Sequence, residues 1–258
     1  MSPPSALQGF LHRGIGPLLS PTRPQRRFLI LHELFPGQES AWGSVLSLLE
    51  QSPSLDATLT FDDGFSSSYT AIRGLKHRKA IFFVCPEYIN RADSNNWQDF
   101  FSNNLRRTED PSAPDIANAV RPTSWEQLRE LVALGHHIGS HSMSHARLST
   151  LTSEKELERE IIGSAEMIED RLGVSVDSFS HPFGNLQSIS ERALKIILRR
   201  YRYFFTGIRG NNDGSAHSSI VWRDTVHFYW PIDYTAFLLK GGFDWRYWLH
   251  RRSLIKMA

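Results

Sequence analysis

Three short segments of the sequence carry side chains that could bind a metal ion or move a proton. In the first, Asp62 and Asp63 follow the apolar run ATLTF at 57–61 and precede Gly64. Adjacent carboxylates at the end of a strand point to opposite faces, so each can take a separate task. Asp-Asp-Gly also suits a tight turn, and a polar turn is the alternative interpretation.

The second segment, GSHSMSH, places His141 and His145 four residues apart. Two imidazoles at that spacing can converge on one cation, and Zn²⁺ accepts such a pair plus a carboxylate with a position left for water. Among eleven histidines, such a pair can also arise by chance. The third segment, SHPFG at 180–184, is by itself only a turn closed by Pro182 and Gly184.

Strands and helices in alternation must position these segments. Apolar runs predict strands at 28–32, 57–61, 80–84, 136–141, 176–184, 201–207 and 220–228. Helices are predicted between them at 41–51, 125–134, 154–172 and 188–200. This alternation predicts an α/β fold with a parallel sheet or barrel. Each of the three segments then ends a strand, at the edge of a barrel where active sites are built.

The composition limits the classes of protein to which this chain can belong. The chain has 258 residues, 40% of them hydrophobic, which suits a single α/β barrel domain. A formal net charge of +2 gives no overall attraction to nucleic acid or anionic membranes, so neither is an expected partner. The single cysteine, Cys85, excludes a disulfide scaffold and a cysteine-based zinc site. No run approaches the roughly 18 apolar residues of a membrane span.

Two parts of the chain are predicted to be irregular. Residues 1–27 form a loose leader ahead of a domain at 28–258, and they contain no apolar signal region, so a cytoplasmic location is expected. Residues 90–122 form a long excursion with one short helix. The aromatic side chains there either stack on sugar rings or pack the excursion onto the barrel; they are Trp97, Phe100 and Phe101.

Together and in this order, TFDDG, HSMSH and SHPFG resemble the motifs of the polysaccharide deacetylases, the NodB-homology group that forms carbohydrate esterase family 4. The resemblance runs from about His32 to the last strands, and the helix WEQLRELVALG before IGSHSMSH strengthens it. It implies a distorted, incomplete (β/α) barrel, a carbohydrate substrate and one divalent metal. Zinc is the metal expected first, and cobalt, nickel or iron would also suit the ligands.

The resemblance also implies a role for each motif residue. Asp63, His141 and His145 would ligate the metal, and Asp62 would be the base that takes a proton from the metal-bound water. The metal and one backbone N–H, that of Phe183, would hold the oxyanion. The rest of that turn, Pro182 and Gly184, would lie beside the substrate.

The third motif departs from the family pattern at one position. Ser180 stands where the family has an arginine that orients the base. Arg223, on the late strand VWRDT, is the candidate replacement, and a surface arginine is the alternative.

The general acid is not where most of the family has it. FLILHELFP resembles the acid-bearing segment moved to the front, as in a branch that includes poly-N-acetylglucosamine deacetylases. His32 would then protonate the leaving amine, although a histidine after an apolar strand is often a core residue. His227 and His250 are the other candidates.

These assignments predict a metal-dependent hydrolase that removes an N-acetyl or other N-acyl group from a glycan or sugar. A second interpretation keeps the site but changes the substrate to a non-glycan amide or a formamido sugar. A third is a glycan-binding relative without turnover, suggested by the missing arginine. Asp62 argues against the third, because a binding site needs no unligated base.

Overall fold

Seven parallel strands close into a barrel. The computed structural model describes residues 25–75, 77–94, 96–105, 109–213 and 219–258. The strands are β1 (Gln25–Leu31), β2 (Leu55–Phe61), β3 (Ala80–Val84), β4 (His137–Ser140), β5 (Ser178–Ser180), β6 (Tyr203–Thr206) and β7 (Ile220–Thr225). Each pairs with the next, and β7 pairs with β1. The predicted (β/α) barrel is confirmed. With these seven strands it has one fewer than the complete eight-stranded form.

Helices surround the barrel. They are α1 (Glu39–Glu50), α2 (Ser66–Arg73), α3 (Pro86–Ile89), α4 (Trp97–Asn103), α5 (Pro114–Val120), α6 (Trp125–Ala133), α7 (Glu154–Glu158), α8 (Ser164–Leu172), α9 (Glu191–Arg200), α10 (Ile232–Leu239) and α11 (Trp248–Met257). The helix predicted at 154–172 is interrupted by a π-helical turn at Arg159–Gly163. Short 3₁₀ turns lie at Leu148–Thr150, Leu186–Ser188 and Asp244–Tyr247. No helix in the described part of the chain is long and apolar enough to cross a bilayer.

Aromatic side chains fill the interior of the barrel below the site. The rings of Phe83 on β3 and Phe205 on β6 lie 4.8 Å apart, although β4 and β5 separate those strands in the sheet. Gly139 on β4 makes room for them, because a Cβ there would lie 2.6 Å from the Phe83 ring. The barrel is least regular beside this glycine, where one residue pair, Ser140 with Phe179, joins β4 to β5.

The first strand begins three residues earlier than the sequence predicts. Gln25 to Arg27 belong to β1 rather than to the leader, and residues 1–24 lie outside the described part of the chain. Arg27 is fully buried and pairs with Asp224 at 3.3 Å and Asp244 at 2.7 Å. Arginines in a basic run are usually exposed to solvent. Arg27 is buried because these two carboxylates, which lie about 200 positions away in the sequence, neutralise its charge.

The excursion at 90–122 is more ordered than predicted. It holds two helices, α4 and α5, where one was expected. Trp97, Phe100 and Phe101 are buried in a cluster with Phe65 and Tyr88, outside the barrel. They therefore pack the excursion onto the barrel, and stacking on a sugar is excluded by their burial.

Candidate active site

The predicted chemical residues meet in one cavity of about 830 Å³ at the carboxyl ends of the strands. Of the residues that the sequence singled out, eight line it: His32, Asp62, Asp63, His141, His145, Phe183, Gly184 and Arg223. Pro182 is buried and is not in the cavity wall. His227 and His250 are also outside this wall.

One carboxylate and two imidazoles form a compact donor group. Asp63 Oδ1 lies 3.4 Å from His141 Nε2 and 3.5 Å from His145 Nε2, and all three residues are buried. Ligand atoms about 2.1 Å from a tetrahedral ion lie roughly 3.4 Å apart. Among the described residues, it is the only group of three or more potential metal ligands whose ligand atoms all lie within 4.8 Å of one another. Its spacing fits a divalent cation.

Backbone carbonyls orient both imidazoles. His141 Nδ1 donates to the carbonyl of Ser180 at 2.8 Å, and His145 Nδ1 donates to that of Asn104 at 3.0 Å. A carbonyl only accepts, so each neutral ring carries its proton on Nδ1 and turns the Nε2 lone pair toward Asp63. Asn104 lies in the excursion, so this segment helps to build the site.

The backbone is strained where these residues lie. Asp63, Ser142, His145 and Phe183 all have positive φ angles, between 60° and 72°. Such angles are uncommon for residues other than glycine, and they persist only where surrounding contacts hold them. Strained conformations cluster at functional sites, and here they aim side chains that a regular strand would direct elsewhere.

Asp62 is held by an arginine and stays apart from the donor group. Arg223 Nη1 donates to Asp62 Oδ1 at 2.7 Å, and Nη2 donates to Oδ2 at 2.9 Å. Nη2 also donates to Ser180 Oγ at 2.6 Å. Arg223 on β7 is fully buried, and its guanidinium reaches Thr60 on β2 and the ring of Phe83 on β3 across the barrel interior. Arg223 therefore contacts Asp62 directly, and the alternative of a surface arginine is wrong.

This arrangement favours an ionised Asp62. Burial alone would raise the pKa of the carboxyl, but the Arg223 charge and its hydrogen bond, with His141, lower the pKa below its ordinary value. For His141 burial alone would lower the pKa, and the charges of Asp62 and Asp63 raise it instead. A carboxylate that remains charged close to the donor group can accept a proton.

His32 directly follows β1 and lies in the same cavity wall. Its charge lowers the pKa of Asp62, which places the two side chains within electrostatic reach. The carbonyl of His32 accepts a hydrogen bond from Ser68 Oγ at 2.8 Å, which fixes the strand exit. Cys85 is unsuited to nucleophilic catalysis, because burial raises its pKa well above normal and its Sγ donates to the carbonyl of His141.

Sequence reasoning missed Glu160, which braces the loop between the two histidines. Its carboxylate accepts from Ser144 N at 2.9 Å and from Ser144 Oγ at 2.8 Å. Its carbonyl accepts from Met143 N at 3.0 Å. Glu160 lies in the π-helical turn, a feature frequent at functional sites. In the run EKELEREIIG it looks like one more surface charge, so no sequence signal distinguishes it.

Replacing Glu160 should weaken metal binding while the barrel stays folded. We expect Glu160→Ala to raise the Kd for Zn²⁺ by about 10- to 100-fold, the usual effect of removing a group that orients a ligand. Glu160→Gln, which can still accept from Ser144, should recover most of the affinity. Titration calorimetry measures the Kd, and Glu158→Ala, at an exposed neighbour, is the control. A lower Tm with an unchanged Kd would mean that Glu160 only stabilises the fold.

Comparisons with known proteins give one family match and a set of similar structures. The family model described as polysaccharide deacetylase matches residues 50–199. No curated protein gives a significant match. A polysaccharide deacetylase from Bacillus cereus has a similar structure, with TM-score 0.58, 16% identity, and coverage of 83% of this chain and 69% of that one.

Two further solved structures are similar over most of both chains. IcaB from Ammonifex degensii has TM-score 0.59 and 17% identity, with coverage of 84% of this chain and 98% of that one. The Streptococcus pyogenes deacetylase PplD, in complex with acetate, has TM-score 0.57 and 16% identity, with coverage of 81% and 95%. At these identities the structural matches establish the shared fold.

Proposed function

The chain belongs to the polysaccharide deacetylase family, and on that basis we propose that it is a metal-dependent hydrolase that removes an N-acetyl or other N-acyl group from a glycan or sugar. The observation that carries the proposal is Asp62, a buried carboxylate held by Arg223 and set beside the donor group of Asp63, His141 and His145. A site that only bound glycans would have no use for a base in this position.

The donor group would hold the metal, with zinc the first candidate and cobalt, nickel or iron also suited. A divalent cation there would lower the pKa of a water molecule and polarise the acyl carbonyl. The lone pairs of both imidazoles already face Asp63, so the residues need little rearrangement to bind it.

The side chains supply the proton transfers. As water oxygen bonds to the acyl carbon, Asp62 accepts a proton, while Arg223 keeps the carboxylate in place. The C–N bond then breaks, and the nitrogen takes a proton from His32 to leave as an amine. Phe183 and Gly184 lie in the cavity wall, where a backbone N–H could bind the oxyanion. The products are a free amino sugar and a carboxylate.

Release of acetate from chitotetraose tests the proposal. The purified chain is treated with a chelator, and Zn²⁺, Co²⁺, Ni²⁺ or Fe²⁺ is then added back. We expect acetate release after metal addition and none with the chelator. Failure to release acetate or formate from any N-acyl saccharide, with any of these metals, would contradict the proposal.

His32 is expected to be the general acid. Because an amine leaves poorly unless it is protonated, His32→Ala should lose most amide hydrolysis while it keeps metal and fold. An alkoxide depends less on protonation, so hydrolysis of an acetate ester should fall less. Initial rates on chitotetraose and on 4-nitrophenyl acetate measure the difference.

His227→Ala and His250→Ala are the matched controls, since neither residue lines the cavity. Both should stay within a few-fold of the wild type. Equal losses on amide and ester in His32→Ala would indicate a packing role. An inactive His227→Ala beside a normal His32→Ala would move the acid to the C-terminal side of the chain.

A further inference from the structure

The C-terminal segments build a part of the cavity wall that the proposed chemistry does not use. This part, which we term the C-terminal wall, consists of Arg209, Trp230, Tyr234, Leu238, Phe243, Arg246 and Tyr247. It combines two guanidinium groups with four aromatic rings and contains no carboxylate. Aromatic faces suit the apolar faces of sugar rings, whereas guanidinium groups suit phosphate and carboxylate.

The carboxylates nearest to this wall are already paired. Asp224 and Asp244 both contact Arg27, and both also contact Arg209, at 3.1 Å and 3.4 Å. Two carboxylates therefore balance two arginines. Across the described residues, no carboxylate lies within 4 Å of Arg246, so the wall carries a positive charge without a counter-ion in that part of the chain.

Arg209 retains hydrogen-bonding capacity although it is buried. Its contacts with the Leu238 carbonyl, Asp224 and Asp244 all use Nη2. Nε is buried and has no hydrogen-bond partner among the residues described. Because Arg209 also lines the cavity, its guanidinium contributes to the positive potential that a bound anion would meet there.

Arg209 and Arg246 act on the same point of the wall. Burial raises the pKa of the Tyr234 hydroxyl, and the charges of Arg209 and Arg246 both oppose that rise. Tyr234 and both arginines also line the same cavity. An anionic group bound in this part of the cavity would therefore meet the positive potential of both guanidinium groups.

We propose that the C-terminal wall is an anion subsite, in which Arg246 and Arg209 bind a phosphate or carboxylate carried by the acylated saccharide. This inference rests on the proposed function for the identity of the saccharide. It narrows the substrate class to anionic N-acyl sugars, such as sugar phosphates or glycans that contain uronic acids. Because the subsite shares the cavity with Asp62 and the donor group, binding there would hold the acyl group near the reacting residues.

Binding of matched neutral and anionic saccharides tests the subsite. Titration calorimetry compares N-acetylglucosamine with its 1-phosphate, and chitotetraose with a hyaluronan tetrasaccharide. The wild type should bind at least one anionic member about tenfold more tightly than its neutral partner, and the preference should fall in 0.5 M NaCl. The phosphate and carboxylate pairs distinguish the two sources of charge.

Variants of two exposed arginines test which residue is responsible for the preference for anionic saccharides. Arg246→Gln should remove most of the anionic preference without changing the binding of neutral sugars, and Arg246→Lys should keep part of it. Arg252→Gln, an exposed arginine outside the cavity wall, is the matched control and should behave as the wild type. Arg246 is itself exposed, so loss of folding is not expected.

Equal affinity for both members of both pairs would overturn the subsite, as would equal effects of Arg246→Gln and Arg252→Gln. These outcomes are separable from failure of the proposed function. Anionic preference without acyl release from any saccharide would refute the hydrolase and keep the subsite. Acetate release from chitotetraose without any preference for anionic saccharides would refute the subsite and keep the hydrolase.

Discussion

Asp62→Asn is expected to lower kcat by about two to four orders of magnitude and to leave metal binding unchanged. The amide has nearly the shape of the carboxylate and can keep one hydrogen bond from Arg223, but it cannot accept a proton. Asp62 also lies farther from His141 Nε2 than Asp63 does, at 4.0 Å against 3.4 Å, and it is not a member of the donor group. Acetate release and metal content are measured on the same preparation.

Asp63→Asn is the matched comparison, because it makes the same change at the adjacent residue. It should lose both metal and activity, since an amide oxygen is a much poorer ligand than a carboxylate. Metal loss in Asp62→Asn with retention in Asp63→Asn would reverse the two roles. Full activity in Asp62→Asn would remove it as the base.

Arg223 shows which information the sequence could and could not provide. VWRDT reads as an apolar strand with a charged end, and the guanidinium could equally have faced solvent. Its actual partner, Asp62, lies 161 positions earlier, directly after β2, and β1 separates β2 from β7 in the sheet. The closure of the barrel decides this pairing, because it turns the inward positions of distant strands toward one another.

The strands themselves were predictable for a local reason. Runs such as AIFFV at 80–84 and YRYFFTG at 201–207 are apolar over the length of a strand buried on both faces, and both contain strands. The errors occur where polar residues are buried by remote partners. Arg27 in β1 and Glu160 in the π-helical turn are charged residues in segments typical of surfaces, and their burial depends on tertiary contacts.

The positions of site residues were predictable from motifs, but their orientation was not. The spacing of His141 and His145 suggested a shared cation, as on a helix. In the structure neither residue is helical: the loop between them passes through two positive φ angles, at Ser142 and His145. Convergence therefore depends on Glu160 and on the carbonyls of Ser180 and Asn104, rather than on helical spacing.

Removing a member of the donor group should have the largest effect on metal binding. Loss of an orienting group costs about 10- to 100-fold in affinity, so loss of the ligand His141 should cost more than about 100-fold. His141→Ala should therefore contain almost no metal and release no acetate, with a circular dichroism spectrum like that of the wild type. His137→Ala, at the exposed start of the strand that His141 follows, is the control.

Metal binding in the wild type should also depend on pH with a defined sign. A ligand imidazole must be neutral, and the charges of Asp62 and Asp63 raise the pKa of His141 above its ordinary 6.5. Protons should therefore compete with the metal already near neutral pH, so the Kd for Zn²⁺ should rise steadily as the pH falls from about 8 to about 6. His141→Ala has lost one titrating ligand, so its weak residual binding should depend less steeply on pH. A full complement of metal in His141→Ala, or a Kd independent of pH over this range, would place the metal on other residues.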